Sequence, residues 1–458
     1  MDGSSRQSIE SVNDFVVKFA NVNGSGSASA NALFAKSVLR MGIPASSRNI
    51  FPSNIQGLPT WYEVRISEKG HLGRRGGVDM MVAMNPQTWD EDLAEIETGG
   101  YLFYDSTKPM PPSRFRDDIT VIGAPLTAIC NREYNDPRQR QLFKNIIYVG
   151  ALSALLNMDV AAIEQLISEQ FRGKDTLIRP NLRALGLGRE WALNERECPI
   201  GLRLEPVDKV GDRIFITGND AAALGAVYGG ATVAAWYPIT PSSSLAEAFA
   251  NHCRRYRTDP GTRKKRYAII QAEDELASIG MVIGAAWNGA RAFTATSGPG
   301  ISLMQEFIGL AYFAEIPAVI FDVQRGSPST GMPTRTQQAD ILSCAHASHG
   351  DTRHVLLFPE DPRESFAFAA EAFDLADRLQ TPVFVMLDLD IGMNDWLIAP
   401  LAWDADRHYD RGKVMTAEQL DAGIEFGRYL DVDGDGIPYR TLPGTHPTRG
   451  AFFTRGTT

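Results

Sequence analysis

Ala292-Phe293-Thr294-Ala295-Thr296-Ser297-Gly298-Pro299-Gly300 reads as a short strand that breaks at two glycines flanking a proline. Behind it, Ile301 to Ala314 predicts a helix and Ala318 to Val323 a second strand. Strand, tight turn, helix and strand in that order make the repeating unit of a parallel sheet. The pattern continues outward in both directions. Upstream are strands at Ile214 to Thr217, Val233 to Tyr237 and Arg266 to Gln271, with helices at Ala221 to Gly230 and Asp274 to Asn288. A further helix starts at Ser244, which, with Glu247 three residues on, reads as a capping box. Downstream are strands at His354 to Phe358 and Val383 to Leu387, around a helix at Pro362 to Leu379. So many β–α pairs in one stretch predict a doubly wound α/β sheet over residues 213–400.

A first α/β domain is expected over residues 1–190. Phe15 to Val22 is apolar and β-rich, Asn23-Gly24-Ser25-Gly26 turns the chain, and Ala30 to Met41 is helical. Strands at Val78 to Met84 and Tyr101 to Tyr104 follow, then amphipathic helices at Asn145 to Leu156 and Val160 to Phe171. Residues 191–212 are charged and polar without clear periodicity, and read as a linker. Residues 401–458 are irregular and rich in Asp, Gly, Pro and Thr.

The composition bounds the function. A chain of 458 residues with 44% hydrophobic and 22% charged residues is that of a globular protein. Its net charge of −10 gives no electrostatic footprint for nucleic acid. The basic run Arg263-Lys264-Lys265-Arg266 falls between two elements and reads as a solvated loop. Met1 to Ser5 lacks the basic and apolar regions of a signal peptide, and the apolar stretch Ile279 to Trp287 is too short to span a bilayer. A cytoplasmic protein with no membrane partner is expected. The four cysteines, Cys130, Cys198, Cys253 and Cys344, are scattered, which excludes a locally built CxxC zinc or iron–sulfur loop. His346, His349 and His354 have no HExxH helix or nearby cysteine pair to make them a metal site.

Trp236-Tyr237-Pro238-Ile239-Thr240-Pro241-Ser242-Ser243 is the most specific stretch. Two prolines bracket Thr240 and fix the backbone, presenting the hydroxyl at the carboxyl end of a strand, where open α/β sheets bind ligands. Further motifs follow in order: Glu273-Asp274-Glu275 before an apolar helix, Thr296-Ser297-Gly298-Pro299-Gly300, Glu315-Ile316-Pro317, and the run from Gln324-Arg325-Gly326 to Gly331-Met332-Pro333-Thr334. Together they resemble the α subunits of 2-oxoacid:ferredoxin oxidoreductases. Residues 213–400 resemble the family's pyrimidine-binding, transketolase-like domain, and residues 1–190 its γ domain fused in front. The fused layout is most similar to the 2-oxoglutarate branch. Such subunits continue into a further domain after the Pro438-Tyr439-Arg440-Thr441 region, so residues 401–458 are expected to be the start of a truncated one.

The resemblance implies thiamine diphosphate as cofactor and a CoA-dependent oxidative decarboxylation that passes electrons to ferredoxin. The cofactor needs a carboxylate beside N1′, which favours the imino tautomer whose nitrogen takes the C2 proton. Glu275 matches that position, although acids in a first helical turn also complement the helix dipole. Tyr237 and Pro238 join Thr240 and Glu275 in the cofactor motif. Arg325 is the planar fork suited to the substrate carboxylate, with Thr240 and Thr334 as hydroxyl donors and Arg335 placed for the distal carboxylate of a diacid. A β subunit must supply the diphosphate–magnesium motif and a [4Fe-4S] cluster, in an expected α2β2 assembly. Pyruvate or a branched-chain 2-oxoacid is the alternative substrate. A non-catalytic binding or regulatory subunit and a transketolase-like transferase are the rival functions.

Two motifs stay open. Gly24 and Gly26 mark either a tight βα turn or a loop for phosphate or CoA, and the third fingerprint position is Ser29 rather than glycine. Asp431, Asp433 and Asp435 resemble the front of a calcium loop, but Leu442 stands where a bidentate Glu belongs, leaving a structural turn or a weak divalent site.

Overall fold

The computed structural model describes residues 8–51, 56–349, 351–424 and 427–449. The chain divides into two compact units, one ending at Arg213 and the other beginning at Ile214.

In the first unit the elements run β1 (Ser11–Val12), β2 (Asp14–Val22), α1 (Ser27–Arg40), β3 (Ala45–Ile50), β4 (Pro59–Ser67), β5 (Val78–Ala83), α2 (Trp89–Ala94), β6 (Ile96–Asp105) and β7 (Thr120–Ala124). Then come α3 (Leu126–Glu133), α4 (Pro137–Leu155), α5 (Val160–Gln170), α6 (Asp175–Glu195) and β8 (Leu202–Arg203). The strands lie in the order β7-β6-β5-β2-β4-β3. β4 runs antiparallel to both neighbours, and the other pairings are parallel. The period-two alternation of β2 sends Phe15, Val17 and Phe19 into the large core under the helices. Ala20 faces a smaller cluster built on Trp61, Trp89 and Leu102.

Residues 191–212 are not a free linker. α6 continues to Glu195, β8 pairs with β1, and Leu202 and Leu204 are fully buried in the first core. Ile200, Leu202 and Leu204 alternate with polar residues, and that short β period was hidden among charges.

The second unit begins with β9 (Ile214–Thr217), α7 (Gly218–Tyr228), β10 (Val233–Trp236), α8 (Ser243–Tyr256), β11 (Ala268–Gln271), α9 (Glu275–Trp287), β12 (Ala292–Thr296), α10 (Gly298–Phe313) and β13 (Ala318–Gln324). α11 (Ile341–Ala345), β14 (Val355–Leu357), α12 (Pro362–Leu379), β15 (Pro382–Asp388), α13 (Leu389–Met393), β16 (Asp395–Ile398) and α14 (Ala417–Asp421) follow. The sheet order is β11-β10-β12-β13-β15-β14, parallel throughout. One face packs Phe293, Phe321 and Val385 with residues of α7, α8 and α12, and the other packs Ile320 and Phe384 with residues of α9, α10 and α11. β9 does not join this sheet as a parallel strand; it pairs antiparallel with β16.

The capping box at Ser244 is not formed. α8 starts at Ser243, and the Ser244 hydroxyl instead accepts a hydrogen bond from Asn219 Nδ2 at 2.8 Å. Past β16 the backbone is largely irregular, as expected, but it is anchored. Arg291 donates to Asp377 at 2.9 Å and bridges Asp374 at 2.7 Å, and Arg440 from the C-terminal segment reaches Asp377 at 2.9 Å. Among the described residues no helix is long and apolar enough to cross a membrane.

Candidate active site

β10 and β12 are neighbours, yet the strand after β10 lies on one side of the pair and the strand after β12 on the other. Such a reversal opens a crevice at the carboxyl ends of the two strands, where doubly wound sheets bind ligands. The loop from Tyr237 to Ser242 and the Ser297–Gly300 turn leave from those ends.

Glu275 opens α9. The neighbouring Asp274 caps that helix, accepting from Ala277 N at 2.6 Å, so Glu275 has no capping duty and turns inward. It is 8% exposed, whereas Glu273 and Asp274 are solvated. Its Cγ lies 3.0 Å from where a Cβ on Gly300 would stand, and Thr296 Oγ1 would be 1.9 Å from the same atom. Only glycine fits there.

Arg325, at the end of β13, is 6% exposed. Its Nη1 donates to Thr240 O at 2.6 Å and its Nη2 to Ser329 O at 3.0 Å. The structure thus brings Arg325 and Thr240 together, but two guanidinium donors are spent on main-chain carbonyls. Nε is buried without a partner, and three of the five donors of an arginine remain for a ligand. Burial pulls the Arg325 pKa down, while the carboxylates of Asp340 and Glu275 push it up. Arg325 and Glu275 therefore share one electrostatic site.

Thr334 is buried and its Oγ1 has no partner, on a loop that doubles back so that Gly326 N donates to Arg335 O at 3.2 Å. Arg335 is exposed, as is Pro238, and Tyr237 is half-buried.

Sequence reading missed the polar floor of this crevice. Thr294 and Thr296 of β12, Ser297, Asp322 of β13, and Asp340 each have a buried oxygen with no hydrogen-bond partner. Register pairs Thr296 with Asp322. Burial, then the nearby Asp340 carboxylate, pushes the Asp322 carboxyl well above the usual carboxylate range. Unsatisfied buried polar atoms are few in folded proteins, and such a concentration marks a place built for a ligand or ordered water. Asp322 alone carried a signal, as an acid inside the apolar run Ala318 to Val323. Asn219 was also missed; its Nδ2 holds the Thr240 loop by donating to Pro241 O at 2.9 Å.

The Asp431–Asp435 loop closes around a lysine. Lys413 Nζ sits 2.7 Å from both Asp433 and Asp435, and Asp431 accepts from Gly434 N and Gly436 N. The ammonium takes the place a cation would need, and hydrogen bonds to the two aspartates raise its pKa. Among the described residues no group of three or more His, Cys, Asp or Glu side chains can hold a metal ion.

In the first unit Gly24 and Gly26 both have left-handed backbones, with φ of 83° and 79°. Their turn opens α1 beside a cavity of 420 Å³ lined by Asn21, Ser25, Thr127, Arg140, Lys144 and others. Asn21 Nδ2 is buried there without a partner.

Comparison with known proteins agrees with this construction. Residues 224–406 match the family described as pyruvate flavodoxin/ferredoxin oxidoreductase, thiamine diphosphate-binding, and residues 16–191 match pyruvate ferredoxin/flavodoxin oxidoreductase. The α subunit of 2-oxoacid:ferredoxin oxidoreductase 2 from Aeropyrum pernix is 32% identical over 92% of this chain and 72% of that protein. The chain belongs to the 2-oxoacid:ferredoxin oxidoreductase α subunits. It is therefore an oxidoreductase subunit, one part of a multi-subunit enzyme. The 2-oxoglutarate synthase subunit KorA of Methanocaldococcus jannaschii is 47% identical over 39% of this α subunit and 46% of its own length. The solved 2-oxoglutarate:ferredoxin oxidoreductase of Magnetococcus marinus, with 2-oxoglutarate, coenzyme A and succinyl-CoA bound, superposes with a TM-score of 0.81 at 28% identity. That match covers 97% of this α subunit and 74% of the solved chain.

Proposed function

We propose that this α subunit holds the pyrimidine end of thiamine diphosphate and the 2-oxoacid in a CoA-dependent oxidative decarboxylation of 2-oxoglutarate to succinyl-CoA, with electrons passed to ferredoxin. The observation that carries the reading is Glu275, a buried carboxylate beside a topological switch point, its Cγ packed so closely on Gly300 that only glycine fits there. Bound there, thiamine diphosphate supplies a carbon nucleophile and an electron sink for the loss of carbon dioxide.

The protein's own groups have these roles. Glu275 accepts the N1′ hydrogen bond, and Tyr237 and Pro238 form the rim. Arg325 offers its remaining donors to the substrate carboxylate beside the Thr240 and Thr334 hydroxyls. Arg335, solvated on the same loop, meets the distal carboxylate of 2-oxoglutarate; with pyruvate as substrate it would have nothing to bind. The 2-oxoglutarate named for the KorA relative and the Magnetococcus enzyme supports the first substrate. For CoA, the Gly24–Gly26 turn beside the cavity with Arg140 and Lys144 offers cations and a helix N-terminus to a phosphate. A β subunit contributes the magnesium-bound diphosphate site and the [4Fe-4S] cluster, in an α2β2 assembly.

Glu275→Gln in the assembled enzyme tests the reading. Glutamine is nearly isosteric, so the melt should be unchanged. C2 proton exchange of bound thiamine diphosphate should slow on the order of 10²–10⁴-fold, the size of a general acid–base contribution. A residue that only complements the helix dipole would instead lose about 0.3–1 kcal/mol of stability and leave exchange alone.

A further inference from the structure

The turn that carries Thr240 is held at three successive carbonyls, each by a different element. Ile239 O accepts from Ser242 N at 2.9 Å and Ser243 N at 3.1 Å, where the chain enters α8. Thr240 O accepts from Arg325 Nη1 at 2.6 Å, just past β13. Pro241 O accepts from Asn219 Nδ2 at 2.9 Å, and Asn219 is the second residue of α7. The start of a helix accounts for the first anchor and the substrate arginine for the second. Neither accounts for the third.

Asn219 is fully buried and closely confined. Its Nδ2 also donates to Ser244 Oγ at 2.8 Å, which spends both amide hydrogens. Its Oδ1 has no hydrogen-bond partner and faces Gly392 of α13, where an added Cβ would stand 2.7 Å away. The same Cβ would lie 3.0 Å from Val323 Cγ1, on the strand that leads into Arg325. Only a glycine lets α13 back the amide without displacing it.

We propose that Asn219 is a positioning residue for the reaction: by fixing the Pro241 carbonyl from α7, it sets with Arg325 where the Thr240 hydroxyl stands in the crevice, a role that rests on Thr240 meeting the 2-oxoacid. The rings of Pro238 and Pro241 fix φ at those two residues. The ψ angles of Thr240 and Pro241 are then set by what their carbonyls bind. Arg325 sets the first and Asn219 the second. Ser244 shares the amide but lies past the turn, on α8. The turn and the α8 start therefore hang on two separate hydrogens of one side chain, and substitution can separate them.

The test measures viologen reduction with 2-oxoglutarate by the full heteromeric holoenzyme, beside a thermal melt. Asn219→Leu keeps much of the bulk and removes the donor to Pro241 O. Its kcat/KM should fall on the order of 10²-fold, the loss that a misplacement of about 1 Å brings. Gly392→Ala presses on the same amide from α13 and should also lower kcat/KM, which serves if Asn219→Leu does not assemble. Ser244→Ala removes the amide's other acceptor; it should lower the melting temperature and leave kcat/KM alone. Thr240→Val removes the hydroxyl, and in that background Asn219→Leu should cost no further activity, because its effect passes through the hydroxyl. Wild-type kcat/KM in an assembled Asn219→Leu or Gly392→Ala enzyme would overturn the proposal. So would full additivity with Thr240→Val, or an equal loss in Ser244→Ala, either of which would leave Asn219 a structural residue. If Thr240→Val itself keeps wild-type kcat/KM, the assignment of Thr240 has failed instead.

Discussion

Arg325 shows how a single side chain can serve two purposes. Its terminal nitrogens bind Thr240 O and Ser329 O, which ties the loop after β10 to the loop after β13, and its remaining donors face a site with an unpartnered threonine hydroxyl on the same loop. Lysine keeps the charge but not the planar fork. Arg325→Lys should therefore lower kcat/KM by the equivalent of about 2–4 kcal/mol, the range for disturbing a buried, hydrogen-bonded charge pair. Steady-state kinetics on several 2-oxoacids check this, and unchanged kcat/KM for all of them would confine Arg325 to holding the loops. Thr240, Glu275 and Arg325 were legible in the sequence because each sits in a motif at a strand end or a helix start. Asp340, Asp322 and Asn219 were not. Their significance lies in Gly298, Thr296 and Pro241, distant in sequence and brought close only by the sheet register and loop packing.

At the scale of elements, the alternation of strand and helix was readable because buried parallel strands are short apolar runs and their helices are long enough to show a period. Local polar signals were less dependable. Ser244 followed by Glu247 matched a capping box, yet packing starts the helix at Ser243 and gives the Ser244 hydroxyl to Asn219. Asp431 to Asp435 matched a calcium loop, yet Lys413 arrives from outside the motif to fill it. The short helix α2 carries a prediction of its own. Asp92 is 1% exposed, accepting from Trp61 Nε1 and Thr88 Oγ1, each at 2.7 Å. Burial outweighs those bonds and raises its pKa to about 6 from 3.8. The folded state thus keeps the proton where the unfolded chain has lost it. Stability from this group is fully present below about pH 3.8 and is lost as pH rises through about 6. Asp92→Asn cannot ionise, and its amide can still accept from Trp61 and donate to Thr88. The variant should gain about 1–3 kcal/mol over wild type at pH 8 relative to pH 4, the value of a shift of this size. Denaturant melts at the two pH values decide it, and a difference that does not vary with pH would show that Asp92 is charged in the folded protein.

For the whole molecule, the arrangement of ionisable groups indicates what this chain contributes and what it lacks. The second unit binds its own irregular C-terminal stretch through buried ions: Arg291 and Arg440 both contact Asp377, and Arg407 contacts Asp374. Breaking one partner of such a network leaves an uncompensated buried charge, so the stretch is an integral part of the unit rather than an appendage. The redox groups show no such concentration. Cys130, Cys253 and Cys344 are buried singly, Cys198 is half-buried, and all four are free. Burial raises the thiol of Cys130 to about 11 and that of Cys253 to about 12, and raises Cys198 and Cys344 as well. An iron–sulfur cluster needs several thiolates converging on one point, and thiols whose pKa values are raised and that are dispersed over three cores are poor ligands. The purified chain should accordingly be colourless and should not reduce a viologen with any 2-oxoacid. Mixing it with a β subunit that brings a cluster and a magnesium–diphosphate site should restore both colour and turnover. A brown chromophore with a ferredoxin-type electron paramagnetic resonance signal on the isolated chain would contradict this, and would require the cysteines to leave the cores in which they now lie.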